Sequence, residues 1–192
     1  NWTLTGPDLF PVNISGQIHG IGRCTQIKFH TYNAQKMYVT SASGGLYVSG
    51  DGGNSWHVTG TDFLPTLQCA SVCIDYTNDS ILYLGTGDPN YYGTSYGIYK
   101  STDAGATWQL SNASIGNRMA LEIIMSPNNH LELIAATNNG IWKSYDGAQS
   151  WVNKLAGGQF TDMQMKPAAG TNTIYRSEEH TSELQSPYVI SY

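Results

Sequence analysis

Gly97-Ile98-Tyr99-Lys100-Ser101-Thr102-Asp103-Ala104-Gly105-Ala106-Thr107-Trp108 decides the fold, because the sequence contains it three times. An earlier copy reads Gly45-Leu46-Tyr47-Val48-Ser49-Gly50-Asp51-Gly52-Gly53-Asn54-Ser55-Trp56. A later copy reads Gly140-Ile141-Trp142-Lys143-Ser144-Tyr145-Asp146-Gly147-Ala148-Gln149-Ser150-Trp151. The copies align without gaps as G-[LI]-[YW]-x-S-x-D-x-[GA]-x-[ST]-W. Their Asp residues stand 52 and then 43 positions apart. Such a spacing suits one four-stranded unit per repeat.

The flanks repeat as well. Short apolar strands precede each copy at Met37-Tyr38-Val39-Thr40, Leu82-Tyr83-Leu84-Gly85 and Leu133-Ile134-Ala135-Ala136. Further upstream lie Ile27-Lys28-Phe29-His30, Val72-Cys73-Ile74-Asp75 and Ile123-Ile124-Met125-Ser126. A fourth copy begins at Met163-Gln164-Met165-Lys166-Pro167 and reaches Thr173-Ile174-Tyr175. Nothing shows the periodicity of a long amphipathic helix.

The repeated segment has a physical logic. Its strand turns sharply after the Ser and returns through the Trp, as a hairpin does. An Asp there satisfies backbone N–H groups that the turn takes out of the ladder. Gly53 and Gly105 supply positive φ without a Cβ penalty. Ala148 stands at that position in the third copy and predicts a less regular turn. The Trp is expected to bury its ring beneath the turn.

Together these residues resemble the Asp-box, or BNR, repeat of sialidases, sortilin-type receptors and secreted bacterial propellers. The resemblance spans about Gly22 to Tyr175. It implies an all-β fold, a partial β-propeller of four-stranded antiparallel blades. Three complete blades are expected at about 22–58, 68–110 and 119–153, with a fourth beginning about 160. It also implies that the boxes sit on the outer rim, away from the ligand face. Ser49, Asp51, Gly53, Trp56, Ser101, Asp103, Gly105, Trp108, Ser144, Asp146 and Trp151 are then architecture. Each box offers one carboxylate where calcium takes several oxygens, so no metal site is expected, and no cofactor. The opening Trp2-Thr3-Leu4-Thr5-Gly6-Pro7 resembles that of secreted bacterial propellers, including type IX-exported ones. An extracellular or cell-surface location follows by resemblance.

Composition agrees. Charged residues make up 12% of the 192, Gly numbers 21 and Tyr 13, which fits a β-rich chain with many turns. The net charge is −5 without a basic patch, which argues against a nucleic-acid partner. No apolar stretch approaches the roughly 20 residues of a membrane span. Cys24, Cys69 and Cys73 give an odd count without C-x-x-C spacing. Cys69 and Cys73 sit roughly 13 Å apart along a strand, too far to bridge, and are expected to be buried free thiols. The sequons at Asn1, Asn13, Asn78 and Asn112 matter only in a eukaryotic secretory host.

Arg176-Ser177-Glu178-Glu179-His180-Thr181-Ser182-Glu183-Leu184-Gln185-Ser186 breaks the pattern. It is polar, lacks alternation, and resembles the translation of a sequencing adapter, which Ile190-Ser191-Tyr192 also matches beyond a short variable stretch. Residues 1–175 are therefore expected to be propeller and 176–192 a non-native tail. Further blades of the same chain are the expected structural partner.

Two regions are candidates for function. Aligning the inner strands by alternation puts Gln26, Ser71, Glu122 and Asp162 in one column. Glu122 and Asp162 could serve acid/base glycosidase chemistry or bind a cation, though a role as solvated or hydrogen-bonded channel residues is favoured. The loop Thr86-Gly87-Asp88-Pro89-Asn90-Tyr91-Tyr92-Gly93-Thr94-Ser95-Tyr96 offers Asp88, Tyr91, Tyr92 and Tyr96 to a sugar or a peptide. Sialidases need an arginine cluster, but only Arg23 and Arg118 precede the tail. The motifs of xyloglucanase-type hydrolases and the Cys-rich module of sortilin-type receptors are not matched. The expectation is a non-catalytic secreted scaffold or binding module for carbohydrate or protein, with a glycoside hydrolase as the alternative.

Overall fold

The computed structural model describes residues 23–90, 94–111, 114–166 and 173–178. The Trp2–Pro7 opening, Tyr91 and Tyr92 lie outside them. The described residues form three four-stranded antiparallel sheets and one two-stranded sheet, all ordered as in the sequence. The first sheet holds β1 (Cys24–Phe29), β2 (Met37–Ser41), β3 (Gly45–Ser49) and β4 (His57–Val58). The second holds β5 (Cys69–Ile74), β6 (Leu82–Thr86), β7 (Ile98–Ser101) and β8 (Gln109–Leu110). The third holds β9 (Ala120–Ser126), β10 (Asn129–Thr137), β11 (Gly140–Ser144) and β12 (Val152–Leu155). The fourth pairs β13 (Phe160–Lys166) with β14 (Thr173–Glu178). The helical content among these residues is one 3-10 turn at Gly60–Phe63, and no helix is long and apolar enough to cross a membrane.

Register is the same in the three full sheets. Ile27 pairs with Val39 and Val39 with Tyr47. Val72, Leu84 and Tyr99 form the matching row, as do Ile123, Ala135 and Trp142. Strand side chains alternate between faces, so each row lies on one face of its sheet. That face packs against the preceding sheet. Val72, Leu84 and Tyr99 meet Tyr38 and Leu46 of the first sheet. Ile123, Ala135 and Trp142 meet Cys73, Tyr83 and Ile98 of the second. Met163 and Phe160 meet Ile134 and Ile141 of the third. The core is therefore three apolar clusters, one between each successive pair of sheets. A strand apolar on both faces, such as Leu82-Tyr83-Leu84, reads as a run because both faces are buried.

The inner strands β1, β5, β9 and β13 lie side by side. Backbone approach there is close: a Cβ on Gly85 would stand 2.2 Å from the Ala120 carbonyl oxygen. The pairing of β14 runs on to Phe160↔Glu178, past Tyr175. The strand thus includes Arg176–Glu178, since a backbone ladder requires no particular side chain.

Candidate functional site

Each inner strand carries a register shift at the same place. The shifts fall between Cys24 and Gln26, Cys69 and Ser71, Ala120 and Glu122, and Phe160 and Asp162. The residues skipped are Thr25, Ala70, Leu121 and Thr161. A bulge of this kind re-aims a side chain out of the ladder. All four bulged residues line one cavity of about 190 Å³, together with Arg23 and Asn90. Four sheets therefore contribute equivalent positions to a single cup where their inner strands begin. Thr25 also ties the first sheet to the second, its hydroxyl donating to the Cys69 carbonyl at 2.6 Å.

A second cavity of about 440 Å³ adjoins the cup and shares Arg23 and Asn90 with it. Its other walls are Ala42, Ser43, Gln68 and Asp88. Arg23 ion-pairs with Asp88 at this junction. The Asp88 side chain is 5% exposed and that of Arg23 42%. Asp88 also accepts the Asn90 backbone N–H at 3.0 Å. The carboxylate is thus the buried support and the guanidinium the presented group.

Glu122 lies one residue further along its strand than Leu121. Its carboxylate accepts hydrogen bonds from Gln26 and from Lys28, the latter at 2.9 Å. The Gln26 side-chain oxygen in turn accepts the Val72 N–H at 2.7 Å. One side chain from the first sheet therefore links the second and third. Burial pushes the Glu122 carboxyl above its ordinary range; Lys28 opposes this and the charge of Asp162 adds to it. Past this polar bridge the strands border a cavity of about 310 Å³, apolar along Phe29, Tyr76, Met125 and Met165.

The three repeated turns are built alike. Ser49, Ser101 and Ser144 donate to Oδ1 of Asp51, Asp103 and Asp146 at 2.9, 2.7 and 2.8 Å. The N–H groups of Gly53, Gly105 and Ala148 donate back to those Ser oxygens at 2.8, 2.8 and 2.9 Å. The Asp Oδ2 atoms accept from the hydroxyls of Ser55, Thr107 and Ser150, each at 2.6 Å. Hydrogen bonds from Ser55 and Thr107 hold Asp51 and Asp103 down at about 2. Every carboxylate is consumed inside its own turn.

Two expectations about these turns need correction. The third is as regular as the others, because Ala148 adopts φ +68° and makes the same bonds as glycine. Nor does each Trp bury beneath its own turn. Trp151 is 2% exposed and its indole donates to Ser111 of the preceding sheet at 3.1 Å. Trp108 packs into the cluster shared with the first sheet. Trp56 has no preceding sheet among the described residues; it is 39% exposed and donates to its own turn at Gly53. The ring buries between sheets, not under the hairpin.

Cys69 and Cys73 are buried and free, and burial pushes both thiols up to about 12. Cys24 is free and exposed. Among the described residues no group of three or more His, Cys, Asp or Glu could hold a metal.

No family model matches the chain, and no curated protein matches it. Solved structures do. The GH74 enzyme of Niastella koreensis superposes with a TM-score of 0.61 at 20% identity, over 86% of this chain and 28% of that one. An auxiliary nutrient binding protein from Bacteroides thetaiotaomicron gives 0.60 at 14%, over 89% and 42%. An extracellular domain of the B. thetaiotaomicron two-component protein BT3049 gives 0.61 at 12%, over 92% and 25%. The fold is a partial β-propeller. Its four sheets are blades, and the chain spans less than half the length of each of these three structures.

Within the propeller, the sequence-predicted residues separate. Gln26 and Glu122 do meet, but as a bridge beside the cup. Asp162 is exposed and acts on Glu122 through its charge. Ser71 turns away and donates to the Ala120 carbonyl at 2.8 Å. Asp88 lines the cavity that adjoins the cup, buried. Tyr96 packs half-buried against the core between the first two blades. Sequence reasoning missed Arg23 and the four bulged residues, and it reached Asn90 only as part of the candidate loop. Alternation counting cannot register a bulge, so the column falls one residue late. No shared residue type marks Thr25, Ala70, Leu121 and Thr161; a common offset from the start of each inner strand is the available signal.

Proposed function

We propose that this chain is part of a secreted, non-catalytic β-propeller that binds a carbohydrate or protein ligand in the axial cup. One observation carries the reading: the inner strands of all four blades bring one equivalent residue, Thr25, Ala70, Leu121 or Thr161, to a single cavity. Ligand sites favour concave places where few polar groups converge, and Arg23, Thr25, Asn90 and Thr161 converge here. The state of Glu122 supports binding over catalysis, since Gln26 and Lys28 occupy its carboxylate. Similarity in fold to a nutrient binding protein and to an extracellular domain agrees with a binding role outside the cell. The Asp-box assignment belongs with this reading and is supported by three turns with one hydrogen-bond scheme.

A second reading has its own observation. A carboxyl raised by burial, next to the charged Asp162, suits the general acid of a glycoside hydrolase. The propeller's likeness to a GH74 enzyme keeps it in view. Screening the chain on glycan and peptide arrays, then assaying hydrolysis of every hit, separates the two. Binding without turnover is expected. Turnover abolished by Glu122→Gln or Asp162→Asn would establish the hydrolase.

A further inference from the structure

The two cavities that meet at Arg23 differ from a generic polar cleft in their charge. Arg23 is neutralised by Asp88, and Lys28, behind the cup, by Glu122. Arg23 is the one cation among the residues that line the two cavities. The remaining polar walls are hydroxyls and amides, Thr25, Thr161, Asn90, Gln68 and Ser43, with the Cys24 thiol beside them. With its one cation already paired, such a site gives an anion no net attraction. It offers planar donors and acceptors to uncharged hydroxyls instead.

Shape adds a second constraint. The axial cup of about 190 Å³ and the outer cavity of about 440 Å³ are joined at Arg23 and Asn90. A ligand filling both runs from the axis outward to the β2–β3 turn at Ala42 and Ser43, crossing the guanidinium. We infer that the site takes a linear, uncharged oligosaccharide laid across Arg23, with one residue in the bulge-lined cup and the chain continuing over Ser43 and Gln68. Asp88 is a positioning residue: buried, it holds the guanidinium at the junction and cancels its charge. This inference rests on the axial cup being a binding site.

The test uses the whole 192-residue chain, immobilised, with four probes. These are glucose, neutral cello-oligosaccharides of increasing length, polygalacturonate as an acidic polymer, and a random peptide pool. Affinity is expected to rise about tenfold or more from one sugar ring to three and to be indifferent to added salt. Arg23→Ala is expected to weaken binding about 10- to 100-fold through loss of charge-assisted hydrogen bonds. Asn90→Ala, at an exposed turn, weakens it without threatening the fold. Asp88→Asn supplies a readout that a structural role would not move. It uncovers the Arg23 charge and confers salt-sensitive binding to polygalacturonate. Preference of the unaltered chain for polygalacturonate, or for peptides, overturns the neutral-oligosaccharide inference and leaves the binding module standing. Equal affinity for glucose and its oligomers overturns the extended ligand. Failure to bind any of the four overturns both.

Discussion

Ala104 and Ala148 occupy backbone positions that glycine fills elsewhere. Each repeated turn needs two successive positive φ angles after its Asp: Gly52 and Gly53, Ala104 and Gly105, Gly147 and Ala148. An L-residue held there costs about 1–2 kcal/mol. Ala104 is exposed, so its methyl returns nothing by packing. Ala104→Gly is therefore expected to stabilise the chain by about 1 kcal/mol, after the entropy of a more flexible unfolded chain is set against the relief. Ala148 is fully buried in the cluster between the second and third blades. Ala148→Gly loses that contact and is expected to gain clearly less, or nothing. Urea midpoints of the two variants give the comparison, and equal gains would sink the packing argument. The turns were legible in the sequence because their chemistry is local: Ser, Asp and Ser/Thr bond within seven residues. The destination of each Trp was not, because it depends on the neighbouring sheet.

Strands show the same division. Their number, order and apolar character could be read, since alternation and turn spacing repeat in every copy. The bulges could not. A single unpaired residue shifts every later side chain to the other face, yet leaves no mark on composition. That is why Gln26 and Glu122 stood in the expected column while Thr25 and Leu121 line the axial cavity. Close approach between strands is equally silent. Gly85 in β6 faces the Ala120 carbonyl oxygen of the next blade, where an added Cβ would come within 2.2 Å. It would also meet Ser71 Oγ at 2.4 Å, the donor to that same carbonyl. Backbone cannot yield as a side-chain tip can, so Gly85→Ala is expected to cost about 1–3 kcal/mol by overpacking. Gly50, with nothing within 4 Å of its added Cβ, is the control: Gly50→Ala changes stability little. Thermal or urea unfolding distinguishes them, and a neutral Gly85→Ala would mean the blades can separate without penalty.

For the molecule as a whole, the decisive feature is the outer face of the first blade. Every other described blade buries that face against its predecessor. Val72, Ile123 and Met163 are at most 1% exposed, while Ile27 at the equivalent position is 54% exposed. Phe29 on the same face is 64% exposed, and Trp56, whose counterparts Trp108 and Trp151 pack against the preceding blade, is 39% exposed. Burying apolar surface stabilises by about 25 cal/mol per Å², so three large side chains left in water give a strong drive to cover them. The isolated 192-residue chain is therefore expected to self-associate with rising concentration. The contact is side to side between blades, because the face is shaped to receive a sheet. Sedimentation velocity across a concentration series reads the association directly. Ile27→Lys with Phe29→Lys should return the chain to monomer while leaving its unfolding transition in place, since neither side chain supports a described core cluster. A cooperatively unfolding monomer at every concentration would show instead that the face needs no partner, and the blade-to-blade account of this fold's stability would have to be revised there.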